Sequence, residues 1–243
     1  MFRLITALLL SAIICLPQQI IVFKKKQAPP PSGASYVTSV AFEDITESPS
    51  ITSPAFNVAT GQFILLIVFG NAVPIITASC NGQPATILSL PLVVSNYYGR
   101  VAYVANANSG TGITCTANYD GSSTYRRIEV AVFSGIGTSS PYDVGACNSA
   151  GCNSLTAASP DRTTVNVVTT VANSVHIAYF LNWDNPGDYT GVNNYNKAYE
   201  YDSTTTSSIL FRNVSSTGTY PNAIIATANS DQYLGFYLVF ALQ

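Results

Sequence analysis

Charged side chains are scarce in this 243-residue sequence. Asp, Glu, Lys and Arg together make up 9% of the residues, whereas an average soluble domain has about 25%. The polar surface must therefore come mainly from Ser, Thr, Asn, Gln and the 15 Tyr residues. Such a surface is typical of secreted or assembled proteins and is unusual for a cytosolic enzyme.

Positive charge is especially rare in the body of the chain. From residue 32 onward there are six basic residues against twelve acidic ones. The other four basic residues are Arg3 and Lys24–Lys26, which all come earlier. A nucleic-acid-binding protein needs a basic face that neutralises phosphates. We therefore expect no nucleic acid among the partners of this protein.

The sequence also lacks the usual components of an active site. His176 is the only histidine, and no Gly-x-Ser-x-Gly turn accompanies it. Glu129 is the best candidate for a glycosidase acid, but no second carboxylate lies at the spacing of a catalytic pair. We expect Glu129 instead to pair with Arg126 or Arg127 on the solvent face. The interpretation is that the protein is not an enzyme, and a polysaccharide-active enzyme is the least favoured hypothesis.

Helical periodicity is absent as well, since no window keeps a 3.6-residue period over three turns. Short apolar runs alternate with Gly, Asn, Asp, Ser and Pro, which is typical of strands. Strands are predicted at 35–43, 50–57, 62–69, 74–80, 84–90, 97–105, 112–118, 126–134, 164–171, 174–182, 196–201, 207–212, 222–228 and 233–242. The run Phe63–Phe69 is apolar throughout and favours a central strand covered on both faces. The predicted fold class is all-β.

Two halves of the chain share a pattern of apolar runs. Phe63–Phe69 resembles Val175–Leu181, and Ile128–Phe133 resembles Phe236–Phe240. This two-half internal repeat predicts a jelly-roll-like antiparallel β-sandwich in which each half contributes to both sheets. Residues 135–163 would then form the crossover between the halves.

The strand texture also resembles a known kind of module. The apolar strand Gly61–Gly70, a Thr-rich middle strand and the run Ile128–Gly135 are similar to a β-sandwich module of secreted, cell-surface and phage structural proteins of prokaryotes. The resemblance extends over roughly residues 36–242. It implies a β-sandwich and carries no catalytic residues.

The N-terminal sequence predicts a targeting segment in residues 1–23. Arg3 supplies a positive charge, Leu4–Cys15 is apolar apart from two residues, and Pro17 follows, as in a signal peptide. Alternatively, Leu4–Phe23 is an uncleaved anchor whose 20 residues suffice for a bilayer, which would be the protein's only membrane contact. In a third interpretation, Ile20–Phe23 stays in the mature protein as a free strand.

After this segment, residues 24–34 form a basic, proline-rich linker, and residues 35–243 form the β-sandwich domain. Beyond the targeting segment the cysteines are Cys80, Cys115, Cys147 and Cys152. Their even number suits an oxidising compartment. We favour pairing Cys80 with Cys115 and Cys147 with Cys152, although four cysteines allow three pairings and the connectivity stays open. Zinc is the competing interpretation, but neither a Cys-x-x-Cys pair nor a second histidine supports it.

One aromatic stretch, residues 183–201, is the place where a ligand is expected. Aromatic faces stack on sugars, while amides and carboxylates bond sugar hydroxyls. The candidate glycan-binding residues are Trp183, Asp184, Tyr189, Asn194, Tyr195 and Tyr199. The alternative is a long connection ordered by its own aromatic side chains. No cofactor is predicted, and the one metal considered is Ca²⁺, held by Asp184 with Asp188 or by Glu43, Asp44 and Glu47.

Together these features predict an exported structural protein, located outside the cell or at its surface, or alternatively in a virion. Its expected partners are copies of itself or other surface or virion proteins. In the sharper version, Ile20–Phe23 adds as a strand to the sheet of a neighbouring subunit. The second hypothesis is a carbohydrate-binding or adhesive module that uses residues 183–201.

Overall fold

The structure is a computed structural model, and it describes residues 33–90, 92–94, 96–147, 155–157, 166–182, 189–191, 193–202, 206–220, 224–226 and 231–243. Every regular element in these residues is a β-strand, and all strand pairs are antiparallel. The strands of the first half are β1 (Ser35–Asp44), β2 (Ser48–Thr52), β3 (Phe56–Val58), β4 (Phe63–Asn71), β5 (Ile75–Cys80), β6 (Gln83–Pro84), β7 (Thr86–Ile87), β8 (Leu92–Val94), β9 (Tyr97–Val104), β10 (Gly110–Ile113), β11 (Cys115–Ser123) and β12 (Arg126–Ser134). Those of the second half are β13 (Tyr142–Cys147), β14 (Leu155–Ala157), β15 (Val167–Thr169), β16 (Ser174–Asn182), β17 (Tyr189–Gly191), β18 (Asn196–Asp202), β19 (Thr206–Val214), β20 (Gly218–Tyr220), β21 (Ile224–Ala226) and β22 (Asp231–Ala241).

Two six-stranded sheets dominate the architecture. Large sheet 1 has the order β1-β12-β4-β9-β7, with β8 also paired to β9. Large sheet 2 has the order β13-β22-β16-β19-β18, with β14 also paired to β22. A four-stranded outer sheet, β2-β11-β5-β6, and the pairs β3–β10, β15–β20 and β17–β21 complete the described strands.

Three hydrophobic clusters show how the layers stack. The largest cluster joins Phe63 and Tyr103 of large sheet 1 to Phe240 of large sheet 2, so the two large sheets pack face to face. A second cluster fills the space between large sheet 1 and the outer sheet. A third lies on the far face of large sheet 2, where Val167 of β15 and Tyr195 cover it. Each large sheet therefore buries both faces.

Burial on both faces explains the sequence of the central strands. Residues 63–70 of β4 are all buried, although their side chains point alternately to opposite faces. A strand with one wet face would alternate apolar and polar residues, whereas one covered on both faces is apolar throughout. The central, doubly covered position predicted for this run is confirmed.

The β-sandwich prediction is confirmed, but the jelly roll and the internal repeat are not. Among the described strands, residues 35–134 supply all of large sheet 1, and residues 142–241 supply all of large sheet 2. The expectation that each half would contribute to both central sheets was therefore wrong. Since β12 and β22 return beside the first strand of their own half, each half completes its own large sheet.

The expected crossover at residues 135–163 was also only partly right. Residues 142–147 and 155–157 form β13 and β14, which both pair with the last long strand, β22. The Gly and Ser content of this stretch disguised these short strands, because it resembles that of a loop. The segments between them lie outside the described residues.

The disulfide Cys80–Cys115 is confirmed, and it links directly opposite residues of β5 and β11. Cys147 ends β13, and Cys152 lies outside the described residues, so the second expected pair stays a prediction. A disulfide indicates an oxidising, non-cytoplasmic environment. In the part of the chain that is described, no helix is long and apolar enough to cross a membrane.

Replacing both Cys80 and Cys115 by alanine should destabilise the fold without changing it. Closing a loop with a sequence separation of 35 stabilises a protein by about 4 kcal/mol in the chain-entropy model. We expect the free energy of unfolding, measured in guanidinium chloride, to fall by roughly that amount. The parent protein should resist a mild reductant under native conditions, since both sulfurs are buried. A double variant as stable as the parent would show that the cross-link contributes nothing.

Candidate functional site

β1 is the longest edge strand among the described strands of the first half. β1 has ten residues and pairs through its whole length with β12, but no described strand pairs with its other side. We call this side, along residues 35–44, the β1 edge. Unpaired backbone N–H and C=O groups along such an edge are a template for another strand.

Exposed apolar side chains concentrate at the β1 edge. Val37 is 43% exposed and Phe42 is 41% exposed, and Ile45, just after the strand, is 80% exposed. They are half of the large exposed apolar residues in the described part of the chain. The others, Ile76, Tyr98 and Val168, lie on three different strands. This clustering marks the β1 edge as a surface suited to contact with another chain.

A groove lies beside β1, and we call it the edge groove. It consists of two adjoining cavities of about 640 and about 360 Å³ that share Val37 and Asn57. Its lining residues are Val37, Thr38, Val40, Ala55, Phe56, Asn57, Val58, Ala59, Gln62, Ser109, Gly110, Thr111 and Gly112. β3 and β10 form one wall, and β1 forms the other. An apolar side chain of a strand placed along β1 would therefore find space on this face.

The two acidic residues of β1 bind arginines of β12. Asp44 accepts a bond of 2.5 Å from Nη2 of Arg126, and Glu43 accepts one of 2.7 Å from Nη1 of Arg127. Bonds from the backbone and hydroxyl of Thr46, together with Arg126, hold the pKa of Asp44 below its usual value. These ion pairs connect β1 to β12 and compensate both of its negative charges.

Arg127 belongs to an ionic cluster buried between the two large sheets. Its Nε donates to Oε1 of Glu129 over 2.7 Å, and its Nη2 donates to Oγ of Ser207 over 2.6 Å. Tyr179 also donates to Oε1 of Glu129, over 2.6 Å, and Ser207 donates to Oε2 over 2.9 Å. None of these four side chains is more than 1% exposed. We call Arg127, Glu129, Tyr179 and Ser207 the inter-sheet cluster.

The pKa shifts in the inter-sheet cluster keep the guanidinium of Arg127 charged and the phenol of Tyr179 neutral. Burial opposes the charge of Arg127, but the Glu129 carboxylate and the other negative groups around it outweigh that effect and raise the pKa of Arg127. Burial, followed by the charge of Glu129, raises the pKa of Tyr179 well above its ordinary value. Glu129 therefore has three donors and no access to solvent, which fits a structural role and leaves no room for a sugar.

The sequence pointed to the partner of Glu129 but not to its surroundings. Arg127 was one of two expected partners, yet the pair was expected on the solvent face and is buried instead. The period-two alternation of the strand could have indicated this burial, because Arg127 and Glu129 lie on the same strand face as the apolar Ala131 and Phe133. Both of these residues belong to the core. Tyr179 and Ser207 come from the other half of the chain, and no spacing in the sequence links them to Glu129.

His176 is buried on the opposite face of large sheet 2, in a small aromatic pocket. Its ring meets Tyr220 edge to face, with 4.7 Å between the centroids, and its Nδ1 lies 3.4 Å from the hydroxyl of Tyr195. The guanidinium of Arg212 lies over both tyrosine rings. Burial, reinforced by the charge of Arg212, lowers the pKa of His176 to about 4. The neutral ring is therefore the stable form at pH 7.

The candidate glycan-binding residues do not form one exposed platform among the described residues. Tyr195 is 5% exposed and packs on the far face of large sheet 2. Tyr199 packs against the core between the two large sheets, on the opposite face. Asn194 is exposed in a turn with φ +65°, and Tyr189 begins β17. Trp183 and Asp184 lie outside the described residues, so a glycan role for this stretch stays a prediction.

The described residues contain no group of acidic, His or Cys side chains that would hold a metal ion. Of the two Ca²⁺ positions considered, Glu43 and Asp44 bind arginines instead. A bound guanidinium already neutralises each carboxylate, which leaves little negative charge for a cation. Asp184 and Asp188, the other position, lie outside the described residues.

Glu129→Gln tests whether the inter-sheet cluster stabilises the packing of the large sheets. The amide keeps the shape of the side chain but leaves the buried guanidinium without its nearest anion, which costs roughly 3 kcal/mol or more. We expect that loss in the free energy of unfolding measured by denaturant at pH 7. Glu200→Gln is the matched control, because its partner Lys197 is 42% exposed and such a pair contributes less than about 1 kcal/mol. Equal losses in the two variants would contradict the assignment.

His176 should make the fold sensitive to moderate acid. The pKa is about 6.5 in the unfolded chain and about 4 in the folded protein, so between these values the unfolded state binds more protons. The free energy of unfolding should therefore fall as the pH drops from about 6.5 to about 4, by up to roughly 3 kcal/mol from this residue. Unfolding curves across this range should show a weaker pH dependence in His176→Gln. Identical pH dependence in both proteins would exclude the effect.

The strand texture that suggests a prokaryotic β-sandwich module is compatible with this fold, but it identifies no relative. Comparison of the chain with protein-family models, with curated proteins and with solved structures finds no match. The β1 edge and the surfaces around it are therefore the features that bear on function.

Proposed function

We propose that this protein is an exported structural component that assembles with copies of itself or with other surface or virion proteins. The β1 edge is the contact surface. The observation that carries the proposal is a ten-residue edge strand with exposed apolar side chains beside an apolar groove. The disulfide and the low charge content support a location outside the cytoplasm.

The protections that usually keep an edge strand from pairing are few along β1. Natural proteins shorten such strands, place Lys or Pro in them, or bend them with a bulge. β1 contains neither Lys nor Pro. Its one irregularity lies between Tyr36 and Thr38, and residues 38–44 pair with β12 in an unbroken register. The regular part is therefore long enough to accept a partner strand of several residues.

The matching strand of the second half provides a contrast. When only the five strands on the main path of each large sheet are numbered in chain order, both sheets have the order 1-5-2-4-3, with the first strand at the edge and the last one beside it. We propose that the halves are two copies of one sandwich unit, in which β13 corresponds to β1. β13 is shorter, and its Asp143 accepts bonds from Thr169 and Thr170 beside β15. That edge is partly covered within the chain, which favours the β1 edge as the assembling one.

Charging the β1 edge should prevent assembly. We expect the native protein to form oligomers or filaments, and we expect Val37→Lys combined with Phe42→Lys to release monomers, because two unpaired charges would have to be buried in the contact. Sedimentation velocity and negative-stain microscopy measure the outcome. The matched control is Ile76→Lys combined with Val168→Lys, whose side chains are 55% and 54% exposed on other strands. A monomeric native protein, or equal dissociation of both variants, would refute the proposal.

A further inference from the structure

We propose that the strand added at the β1 edge is Ile20–Phe23 of a second copy, donated by its N-terminal segment. This inference rests on the proposed function and specifies the occupant of the same surface. The donated strand would pair with the backbone of β1 and place alternate side chains in the edge groove.

The position from which the segment leaves the domain is fixed by a contact with the second half. The backbone N–H of Ala34 donates to Oδ1 of Asn213 over 2.8 Å, and Nδ2 of Asn213 donates back to the carbonyl of Ala34 over 2.9 Å. A Cβ at Gly33 would lie 2.5 Å from Nδ2 of Asn213, so glycine suits this close approach. The N-terminal segment therefore leaves the domain at a fixed position, directly before the first residue of β1.

The sequence of the linker favours donation to another copy over folding back. Residues 24–34 include three consecutive prolines, Pro29–Pro31. Consecutive prolines are semi-rigid and extend by about 3.1 Å per residue. Pairing within the same chain would require the linker to reverse its direction between Phe23 and Ser35, and three consecutive prolines disfavour such a reversal. Reaching a neighbouring molecule requires only that it stay extended.

The chemistry of the donor matches that of the acceptor. All four residues of Ile20–Phe23 are strong β-formers, with apolar side chains on both faces of a strand. On the groove face the acceptor offers Val37, Val40 and Phe56 and the space beside them. Burial of the donor's side chains there would also cover apolar surface that is now in contact with water.

Charge complementarity supports a second copy as the partner. Lys24–Lys26 follow the donor strand directly, whereas the chain from residue 32 onward has six basic and twelve acidic residues. A basic segment is attracted to such an acidic domain, and the attraction weakens as salt is added. Because donor and acceptor are different surfaces of one chain, the contact is heterologous, and repeated copies form either a ring or an open filament.

Complementation between two full-length variants tests this donation. The donor variant carries Ile21→Asp and Phe23→Asp, and the acceptor variant carries Val37→Lys and Phe42→Lys. Alone, each variant should remain monomeric. Mixed in equal amounts, they should form a dimer of twice the 25.8 kDa chain mass that grows no further, since each partner retains only one intact surface. Circular dichroism and the thermal unfolding midpoint show whether each variant is folded before mixing.

The outcomes separate this inference from the proposed function. If the native protein does not assemble, the proposed function fails. If it assembles and the donor variant assembles equally well, only the donation is wrong, and β1 pairs with a different strand of the neighbour. Stronger association of the donor variant would mean that the segment covers its own β1, which also overturns the inference. An intact mass showing that the mature protein begins after Phe23 would do the same.

Discussion

The buried pair of Arg127 and Glu129 is the interaction on which the arrangement of the layers depends. An ion pair between two sheets is stable only when every donor and acceptor around it is satisfied, and here the second half supplies Tyr179 and Ser207 for that purpose. A shift of one sheet against the other would leave these groups unpaired in a dry environment, so the cluster selects one alignment of the halves. The same guanidinium reaches Glu43 on β1, which means that the edge strand is held by the cluster that aligns the sheets.

Strand addition requires an acceptor strand whose backbone is held in place, as β1 is here. A donated strand gains affinity when the acceptor edge is already formed, because the cost of ordering the acceptor has been met during folding. β1 is fixed at one end by Asn213 through Ala34 and at the other by the arginines that bind Glu43 and Asp44. Its backbone is therefore ordered from Ala34 to Asp44 even though no described strand pairs with its outer side. The openness of the β1 edge is thus a property of the folded state and does not require local unfolding.

Sequence patterns predicted most of the strands, because strands depend on a local alternation of side chains. The Cys80–Cys115 disulfide was the favoured choice among the three possible pairings. Period-two alternation placed Ile128 and Glu129 on opposite faces, and the apolar run of β4 identified a doubly covered strand. Short strands such as β13 and β14 were missed because they are stabilised by pairing with β22, which is distant in the sequence. Such pairing is not visible in the composition of the short strands themselves. Tyr179 and Ser207, which bind Glu129 from the second half, and the side of β1 that pairs with no described strand were beyond prediction for the same reason, because both are consequences of the tertiary arrangement.

The placement of the aromatic residues also bears on the choice between assembly and glycan binding. A sugar-binding platform needs aromatic faces in contact with water on one surface, yet Tyr195 and Tyr199 are committed to opposite faces of large sheet 2. The aromatic rings of this chain instead pack against one another, as Phe63, Tyr103 and Phe240 do in the central core. With so few charges available, these stacked cores provide the cohesion of the domain. Half of the large exposed apolar residues of the described chain lie together along β1. Such a cluster beside an unpaired strand edge favours a protein partner over a soluble ligand.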